Sequence, residues 1–305
     1  MSEKFQGYLY LSLAMILVGS TVIASKIIAA GFAPFTATAM RFAIAFPLFL
    51  LLMRLTKTQW PKLGSHDWMI LIAQAGAGSV GYTTLLIAGL SLTSAANAGV
   101  VIGTLPVVSA AIAFLLLGER PDRRMLAAIA LAAFGVLTII FKPGDGGGHS
   151  ALGIALIFGA VICEGLFILL NKRVKAEVSP LALSTLMAGL GFAVSLIPAL
   201  FETHATEEID QGAIVAVVYY ALIPTVAGFL LWYAGSAKVS GTEASVFTAL
   251  APVSAVLFAF LLLDEPIGDH QLLGIGCVLA AVLGLTVPQI RAGRRTARAL
   301  PTRRA

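Results

Sequence analysis

Apolar runs of about twenty residues follow one another along the whole chain, separated by short polar stretches. A helix of that length crosses a hydrocarbon core of roughly 30 Å. Because the runs are continuously hydrophobic and do not alternate, each predicts a membrane-spanning helix and not a barrel strand. Ten segments are predicted, at residues 7–29, 34–54, 67–90, 94–117, 124–141, 151–171, 180–201, 212–235, 242–263 and 270–290. The pattern therefore predicts an all-α integral membrane protein.

The composition agrees with this interpretation. Of the 305 residues 59% are hydrophobic and only 11% are charged, whereas a soluble domain is usually about 25% charged. The mean hydropathy is +0.95. Cys163 and Cys277 both fall inside apolar segments, so they predict small buried side chains and no disulfide.

Lysine and arginine are distributed unevenly between the two membrane faces. Cytoplasmic loops collect positive charge, and a cytoplasmic N-terminus places most of the basic residues on that side. They are Arg54, Lys57, Lys62, Arg120, Arg123, Arg124, Lys172, Arg173, Lys175, Lys238 and the tail 291–305. The opposite face collects Glu202, Glu207, Glu208, Asp210, Asp264, Glu265 and Asp269. We expect both termini to be cytoplasmic, and the basic charge to reflect topology and lipid contact, not nucleic-acid binding.

The chain contains an internal duplication. Residues 94–119 and 240–265 align without a gap and share eleven identities in twenty-six positions. The same offset of 146 residues pairs Lys26 with Lys172, Pro34 with Pro180, Gly89 with Gly235, Pro106 with Pro252 and Glu119 with Glu265. Each half contains five segments, an odd number, so the second half enters the membrane from the opposite side. Inverted repeats of this kind recur in secondary transporters, whose halves rock about a shared site.

The duplication predicts four parts of the chain. These are a first five-helix repeat at 1–143, a glycine-rich connector at 144–150, a second five-helix repeat at 151–290 and a basic cytoplasmic tail at 291–305. The first segment is equivalent to the sixth. It is therefore expected to be part of the bundle and not a removable signal.

The duplicated motifs resemble a known family. Each half has a mid-helix Pro-Val and a closing acid, and the first half also has Lys26 and the run AMRF with Arg41. This pattern is similar to the EamA-type branch of the drug/metabolite transporter superfamily, and most similar to its bacterial aromatic amino-acid exporters. The resemblance implies ten helices in two inverted repeats, a central cavity, and export of amino acids or other small metabolites across a bacterial inner membrane. The family often has a Trp in the middle of each repeat's first helix, where this chain has Val18 and Glu164.

Glu164 is the most informative single residue. It lies inside the sixth segment, more than a turn from either end. Ionisable residues at such depth usually face a cavity or a partner. Three roles stay open: binding a substrate amino group, carrying a coupling proton, or a neutral side chain hydrogen-bonded to a neighbouring helix.

Helix kinks point to the rest of the candidate site. Pro106, Pro252 and Pro224 fall within segments, and Pro224 is equivalent to Gly78 in a glycine-rich run. Kinked helices at matching places in two repeats indicate a transporter binding site. The aromatic and hydroxyl residues beside these hinges are candidate substrate contacts, with ordinary packing as the alternative. They are Tyr82, Thr104, Trp232, Tyr233 and Phe247.

Two basic residues lie within the first two segments. Lys26 is close to a helix C-terminus, where the dipole favours a cation, and Arg41 is about two turns inside its helix. Both are predicted to be structural or gating charges. Ser94 and Ser240 are predicted to be N-caps of the fourth and ninth segments.

No pattern in the chain predicts an enzyme. Gly76, Gly78 and Gly81 fit a dinucleotide-binding spacing, but they lie in a membrane segment and not after a strand. No cofactor, metal or nucleic-acid site is predicted. The expected partners are a small-molecule substrate and the lipid bilayer, and the oligomeric state stays open, with a monomer compatible with the sequence.

Three functions are compatible with these features. The first is a secondary transporter that exports amino acids, above all aromatic or hydrophobic ones. The second is an exporter of cationic drugs with Glu164 as the counter-charge. The third, of another class, is a scaffold or helper subunit that transports nothing.

Overall fold

The computed structural model describes residues 3–105, 107–109, 111–112, 150–171, 173–202, 210–239, 247–248, 250–277 and 279–281, with a few further positions between 123 and 138 and at 284. The regular elements in these ranges are helices. They include α1 (Glu3–Ile28), α2 (Pro34–Leu55), α3 (Ser65–Leu90), α4 (Ala95–Ile102), α5 (Ala151–Asn171), α6 (Pro180–Ala199), α7 (Gln211–Ser236) and α8 (Leu250–Leu263). Residues 269–277 are helical as well.

Six of these helices are long and apolar enough to cross a membrane, namely α1, α2, α3, α5, α6 and α7. They coincide with six predicted segments to within a few residues, which confirms the prediction of an all-α membrane protein. The short helices α4 and α8 cover parts of the fourth and ninth segments. Pro106, Glu119, Ser240, most of the connector and the basic tail lie outside the described residues.

The two helices α3 and α7 each contain a wider stretch in the middle. Residues Ala75–Gly81 of α3 and Ala221–Ala227 of α7 form π-helix, in which each hydrogen bond reaches one residue further than in an α-helix. The first residues of the two π segments are 146 positions apart in the sequence, and so are their last residues. This is the offset of the sequence repeat. Since π-helix is rare, its recurrence at equivalent positions shows that the duplication preserves a specific backbone shape.

The first helix of each half packs along the third helix of the other half. α1 lies along α7, and α5 lies along α3. Two equivalent glycines allow these close approaches. A Cβ on Gly235 would lie 2.9 Å from Leu11 Cγ, and one on Gly89 would lie 2.5 Å from Ile157 Cγ1. Leu11 and Ile157 are also 146 residues apart, so the same crossing is built twice.

The equivalent helices α2 and α6 pack against each other in opposite directions. A Cβ on Gly191 would meet the Phe42 ring at 2.7 Å, and one on Gly189 would meet the Phe46 ring at 2.8 Å. Residue numbers therefore rise along α2 while they fall along α6. Opposite directions of equivalent helices are the relation that an inverted repeat requires.

Two acidic residues of the second half cap the N-termini of two helices of the first half. The Glu265 carboxylate accepts the N–H groups of the first two residues of α4 at 3.1 and 2.9 Å. Glu202 accepts those of the second and third residues of α2 at 2.9 and 2.7 Å. Ser94 Oγ also accepts the Asn97 N–H at 3.2 Å, which confirms the predicted cap of α4. These bonds satisfy otherwise unpaired N–H groups and place negative charge at the positive ends of helix dipoles.

Candidate functional site

A cavity is lined by both π segments together with the middle parts of α1, α2 and α5. Its empty volume, including the open mouth, is about 600 Å³. Apolar and aromatic side chains cover much of the wall, among them Met15, Val18, Phe167, Phe229 and Trp232. The polar side chains of the wall include Thr21, Arg41, Ser79, Tyr82, Glu164 and Thr225. An apolar cavity with a few polar groups is typical of a small-molecule site.

The π segment of α7 contains Pro224. Proline has no N–H, so the carbonyl of Tyr220, four residues earlier, loses its α-helical donor. In the π pattern the N–H of Thr225, five residues after Tyr220, serves this carbonyl, and the Thr225 hydroxyl donates to it as well, at 2.8 Å. Thr225 thus supplies the donors that proline lacks, at a depth where no water is available to do so, and Pro224 and Thr225 are part of the cavity wall.

The π segment of α3 is made of small residues. At Gly78, the equivalent of Pro224, an added Cβ would overlap the Phe167 side chain of α5, so only glycine allows this contact. The next residue, Ser79, has a carbonyl that accepts two side-chain donors. Arg41 Nη2 donates to it at 2.8 Å and Thr83 Oγ1 at 3.1 Å. The two π segments therefore rely on different side chains.

Arg41 is a buried cation in the cavity wall, with only 5% of its surface exposed. Its guanidinium lies 4.1 Å from the ring centroid of Phe42 and 4.6 Å from that of Tyr220. These cation–π contacts and the bond to Ser79 fix its position. Its Nε has no hydrogen-bond partner in the described part of the chain.

Glu164 lines the same cavity from the middle of α5. No residue that the structure describes forms a hydrogen bond or an ion pair with its carboxylate. The equivalent residue of α1, Val18, lines the cavity as well. The cavity wall thus contains a fixed guanidinium and a carboxylate that the described residues leave unpaired.

Lys26 lies away from this cavity. Its Nζ donates to the carbonyls of Leu90 at 2.9 Å and Thr93 at 2.7 Å, where α3 ends. The sequence analysis located Lys26 near the C-terminus of its own helix, α1. The structure shows that it also caps the C-terminus of the neighbouring helix α3. A cation at the negative end of a helix dipole favours a structural role.

The other residues singled out from the sequence divide into two groups. Tyr82, Trp232 and the hinge positions Gly78 and Pro224 line the cavity. The remaining described residues lie outside its wall. Thr104 donates to Val101 O at 2.7 Å, Tyr233 meets the Phe229 ring edge-on at 6.2 Å, Phe247 lies 5.2 Å from the Tyr8 ring, and Pro252 is buried in α8.

Several wall residues were missed by the sequence analysis, and two signals indicate them. Thr21 and Phe167 follow Val18 and Glu164 by three residues, so they share the same helix faces. Ser79 and Thr225 follow the equivalent hinge positions and are themselves equivalent. Tyr220 has no such signal, because its role depends on where Arg41 lies.

Known proteins resemble this chain over both halves. The model of the EamA-like transporter family matches it twice, at residues 5–141 and 151–287. A Bacillus subtilis protein named "Uncharacterized transporter YetK" is 33% identical over 285 residues, which cover 92% of this chain and 86% of that protein.

Two further relatives have more specific names. A "Probable terminal-alkyne amino-acid exporter" of Streptantibioticus cattleyicolor is 28% identical over 77% of this chain and 78% of its own length. A "Probable amino-acid metabolite efflux pump" of Escherichia coli is 28% identical over 54% of this chain and 58% of its own. A solved crystal structure matches 95% of this chain and 98% of its own with a TM-score of 0.65 at 18% identity, which supports the fold alone.

Proposed function

The chain belongs to the EamA-like transporter family, and from this membership we propose that it is a secondary transporter that exports amino acids and related small metabolites. The observation that carries the proposal is the cavity with its fixed guanidinium, its unpaired carboxylate and its aromatic wall. An amino acid carries both charges, and an aromatic or hydrophobic side chain fits the apolar surface. The proposed contacts are Glu164, Tyr82 and Trp232, with Gly78 and Pro224 as hinges.

The proposed mechanism is alternating access by two inverted five-helix repeats, ten helices in all. The repeats would comprise residues 1–143 and 151–290, joined by the connector 144–150 and followed by the tail 291–305. The opposite directions of α2 and α6 and the matched π segments support this arrangement. Rocking of one half against the other would expose the cavity to each side in turn.

We place the protein in a bacterial inner membrane with both termini in the cytoplasm. The distribution of lysine and arginine supports this orientation, and bacterial relatives support the location. A single cysteine added to the tail, in a variant without Cys163 and Cys277, checks it. A membrane-impermeant maleimide should label that cysteine only after cells are opened.

A second candidate is export of cationic compounds without a carboxylate. Glu164 supports it, because an unpaired carboxylate near Trp232 and Phe229 suits an aromatic cation. A third possibility, a helper subunit, predicts that the purified protein transports nothing.

Counterflow in proteoliposomes that contain only this protein separates these candidates. Vesicles preloaded with unlabelled phenylalanine are presented with labelled phenylalanine, labelled threonine or a cationic dye, each against vesicles without protein. We expect transient accumulation of phenylalanine. In vesicles preloaded with the dye, accumulation of the dye alone would favour the cationic-compound exporter. Absence of every label from vesicles that hold folded protein would favour the helper subunit.

A further inference from the structure

Three buried polar groups belong to residues that line the cavity. They are Arg41 Nε, Ser79 Oγ and Tyr82 Oη, none of which makes a hydrogen bond with the described residues. The three residues expose 5%, 3% and 7% of their surfaces. Buried polar groups almost always have a hydrogen-bond partner, so three such groups without one call for an explanation. All three residues line the same cavity.

The local geometry brings these groups together. Ser79 lies in the π segment of α3, and Tyr82 directly follows that segment in the same helix. Arg41 is hydrogen-bonded to this part of α3, because its Nη2 donates to the Ser79 carbonyl at 2.8 Å. The guanidinium is thus fixed at the part of α3 that carries the two hydroxyls.

All three groups can donate a hydrogen bond. The guanidinium is a permanent donor, and both hydroxyls can rotate to donate. A carboxylate accepts several hydrogen bonds, and bonds from charged donors are the strongest. A neutral acceptor would form weaker hydrogen bonds with the guanidinium than a charged one does. Of the groups that a ligand can offer, a carboxylate therefore suits these three donors best.

We propose that Arg41, Ser79 and Tyr82 form a carboxylate subsite that holds the α-carboxylate of the transported amino acid, a proposal that rests on the function proposed above. Glu164, in the same cavity, takes the ammonium group. The aromatic side chains of the cavity wall contact the side chain of the amino acid. The subsite makes a free carboxylate a requirement for tight binding, which distinguishes the substrate from a simple organic cation.

The unpaired hydroxyls make this proposal testable without damaging the fold. Ser79→Ala and Tyr82→Phe each remove a hydroxyl that bonds to no described residue, so no internal hydrogen bond is lost. Ser25→Ala and Tyr233→Phe are matched controls. Both remove a buried hydroxyl without a partner, and neither residue lines the cavity.

Binding of three probes to the detergent-purified protein is measured by titration calorimetry. Phenylalanine carries both charges, 3-phenylpropionate lacks the ammonium group, and phenethylamine lacks the carboxylate. We expect each of Ser79→Ala and Tyr82→Phe to weaken phenylalanine and 3-phenylpropionate by about tenfold, the effect of one hydrogen bond to a charged group. Phenethylamine binding should stay unchanged, and both controls should bind all three probes as the wild type does. Glu164→Gln should weaken phenylalanine and phenethylamine and spare 3-phenylpropionate.

Three results would overturn the subsite. They are unchanged carboxylate binding in the folded variants, an equal loss for phenethylamine, or no binding of either carboxylate probe to the wild type. Counterflow keeps the two proposals apart. Phenylalanine counterflow with unchanged affinity in Ser79→Ala and Tyr82→Phe would preserve the transporter and reject the subsite. Selective binding without counterflow of any amino acid would do the reverse.

Discussion

The two halves of the molecule share features of the backbone and differ in the charged residues that they contribute to the cavity. Both contain a π segment at the same offset, and both use an equivalent glycine, Gly89 or Gly235, for the helix crossing. The charged groups have no such pairing. Arg41 is equivalent to Met187, and Glu164 is equivalent to Val18. The backbone features are duplicated, whereas the charged groups of the cavity wall are single.

This difference follows from what each feature has to do. A rocking motion between inverted halves requires hinges and close crossings on both sides. A small substrate has no internal symmetry that would match the pseudo-symmetry of the protein. Each of its charged groups therefore needs a counter-charge in one half only. Substitutions that exchange a residue for its repeat equivalent test this division directly.

The largest effect is expected when Arg41 is replaced by its equivalent, methionine. Arg41→Met removes the proposed charged donors for the substrate carboxylate. Two bonds of this type together account for about 100-fold in affinity or more. We expect phenylalanine counterflow to fall by about that factor at low substrate concentration. Removing a buried charge also removes its desolvation cost, so the variant should still elute as a folded protein.

The exposed Arg54 at the end of α2 provides the control, since Arg54→Met makes the same chemical change outside the cavity. It should retain wild-type counterflow. Equal loss in both variants would mean that the effect of Arg41→Met reflects general damage to α2.

The second effect concerns the carboxylate of the other half. Glu164→Val makes residue 164 identical to its equivalent, Val18, and we expect about a tenfold loss in phenethylamine affinity, the effect of one charged hydrogen bond. Glu164→Gln keeps the shape and should lose nearly as much. Glu177→Gln, on an exposed residue after α5, is the control and should not change the affinity.

The same Glu164→Gln variant tests proton coupling. Flux is measured in vesicles with and without an imposed pH gradient. If Glu164 carries a coupling proton, stimulation by the gradient should disappear. Stimulation of the same size in the variant and the wild type would exclude that role and leave substrate binding as its function.

The third effect is on stability and uses the shared crossings. Gly89→Ala places a methyl group 2.5 Å from Ile157 Cγ1 and 2.9 Å from the Gly153 carbonyl, and such overpacking costs about 1–3 kcal/mol. Gly235→Ala meets its nearest atom at 2.9 Å and should lose less. Gly276→Ala, with no atom within 4 Å, should not be destabilised. Thermal unfolding in detergent measures all three, and equal melting temperatures would reject the close-crossing argument.

Hydrophobic length and the repeat offset were enough to predict much of the fold. Six spans were located from apolar runs alone, because a membrane helix needs little beyond length and low polarity. The hinge positions Gly78 and Pro224 and the cavity residue Glu164 were also indicated, since each is unusual for its surroundings. The opposite directions of the halves were expected from an odd number of segments. These features depend on local sequence or on simple counting.

Contacts that depend on helix rotation could not be predicted in this way. Trp232 lines the cavity and its neighbour Tyr233 does not, because adjacent helical residues point about 100° apart. Pattern alone does not fix that angle, and a π segment changes it along the helix. The ends of the bundle have the same difficulty. Glu202 and Glu265 close helices that are distant in sequence, so their partners follow only from the packed structure.

The smallest effect should come from the hydroxyl that compensates for Pro224. Thr225→Val leaves the Tyr220 carbonyl without its 2.8 Å side-chain donor, and a net cost of about 1 kcal/mol is expected. Pro224→Gly copies the glycine of the first half and restores an N–H four residues after Tyr220. In that background Thr225→Val should cost clearly less, because the backbone can donate to the same carbonyl.

Thermal unfolding of the two single variants and the double variant measures this coupling. Thr56→Val is the control for losing a threonine hydroxyl. Its hydroxyl donates to Leu52 O, four residues earlier, and this carbonyl keeps its α-helical donor, the Thr56 N–H at 2.9 Å. A smaller cost in the Pro224→Gly background would show that Thr225 replaces the missing donor of the proline. An equal cost in both backgrounds would mean that the Thr225 hydroxyl stabilises α7 independently of Pro224.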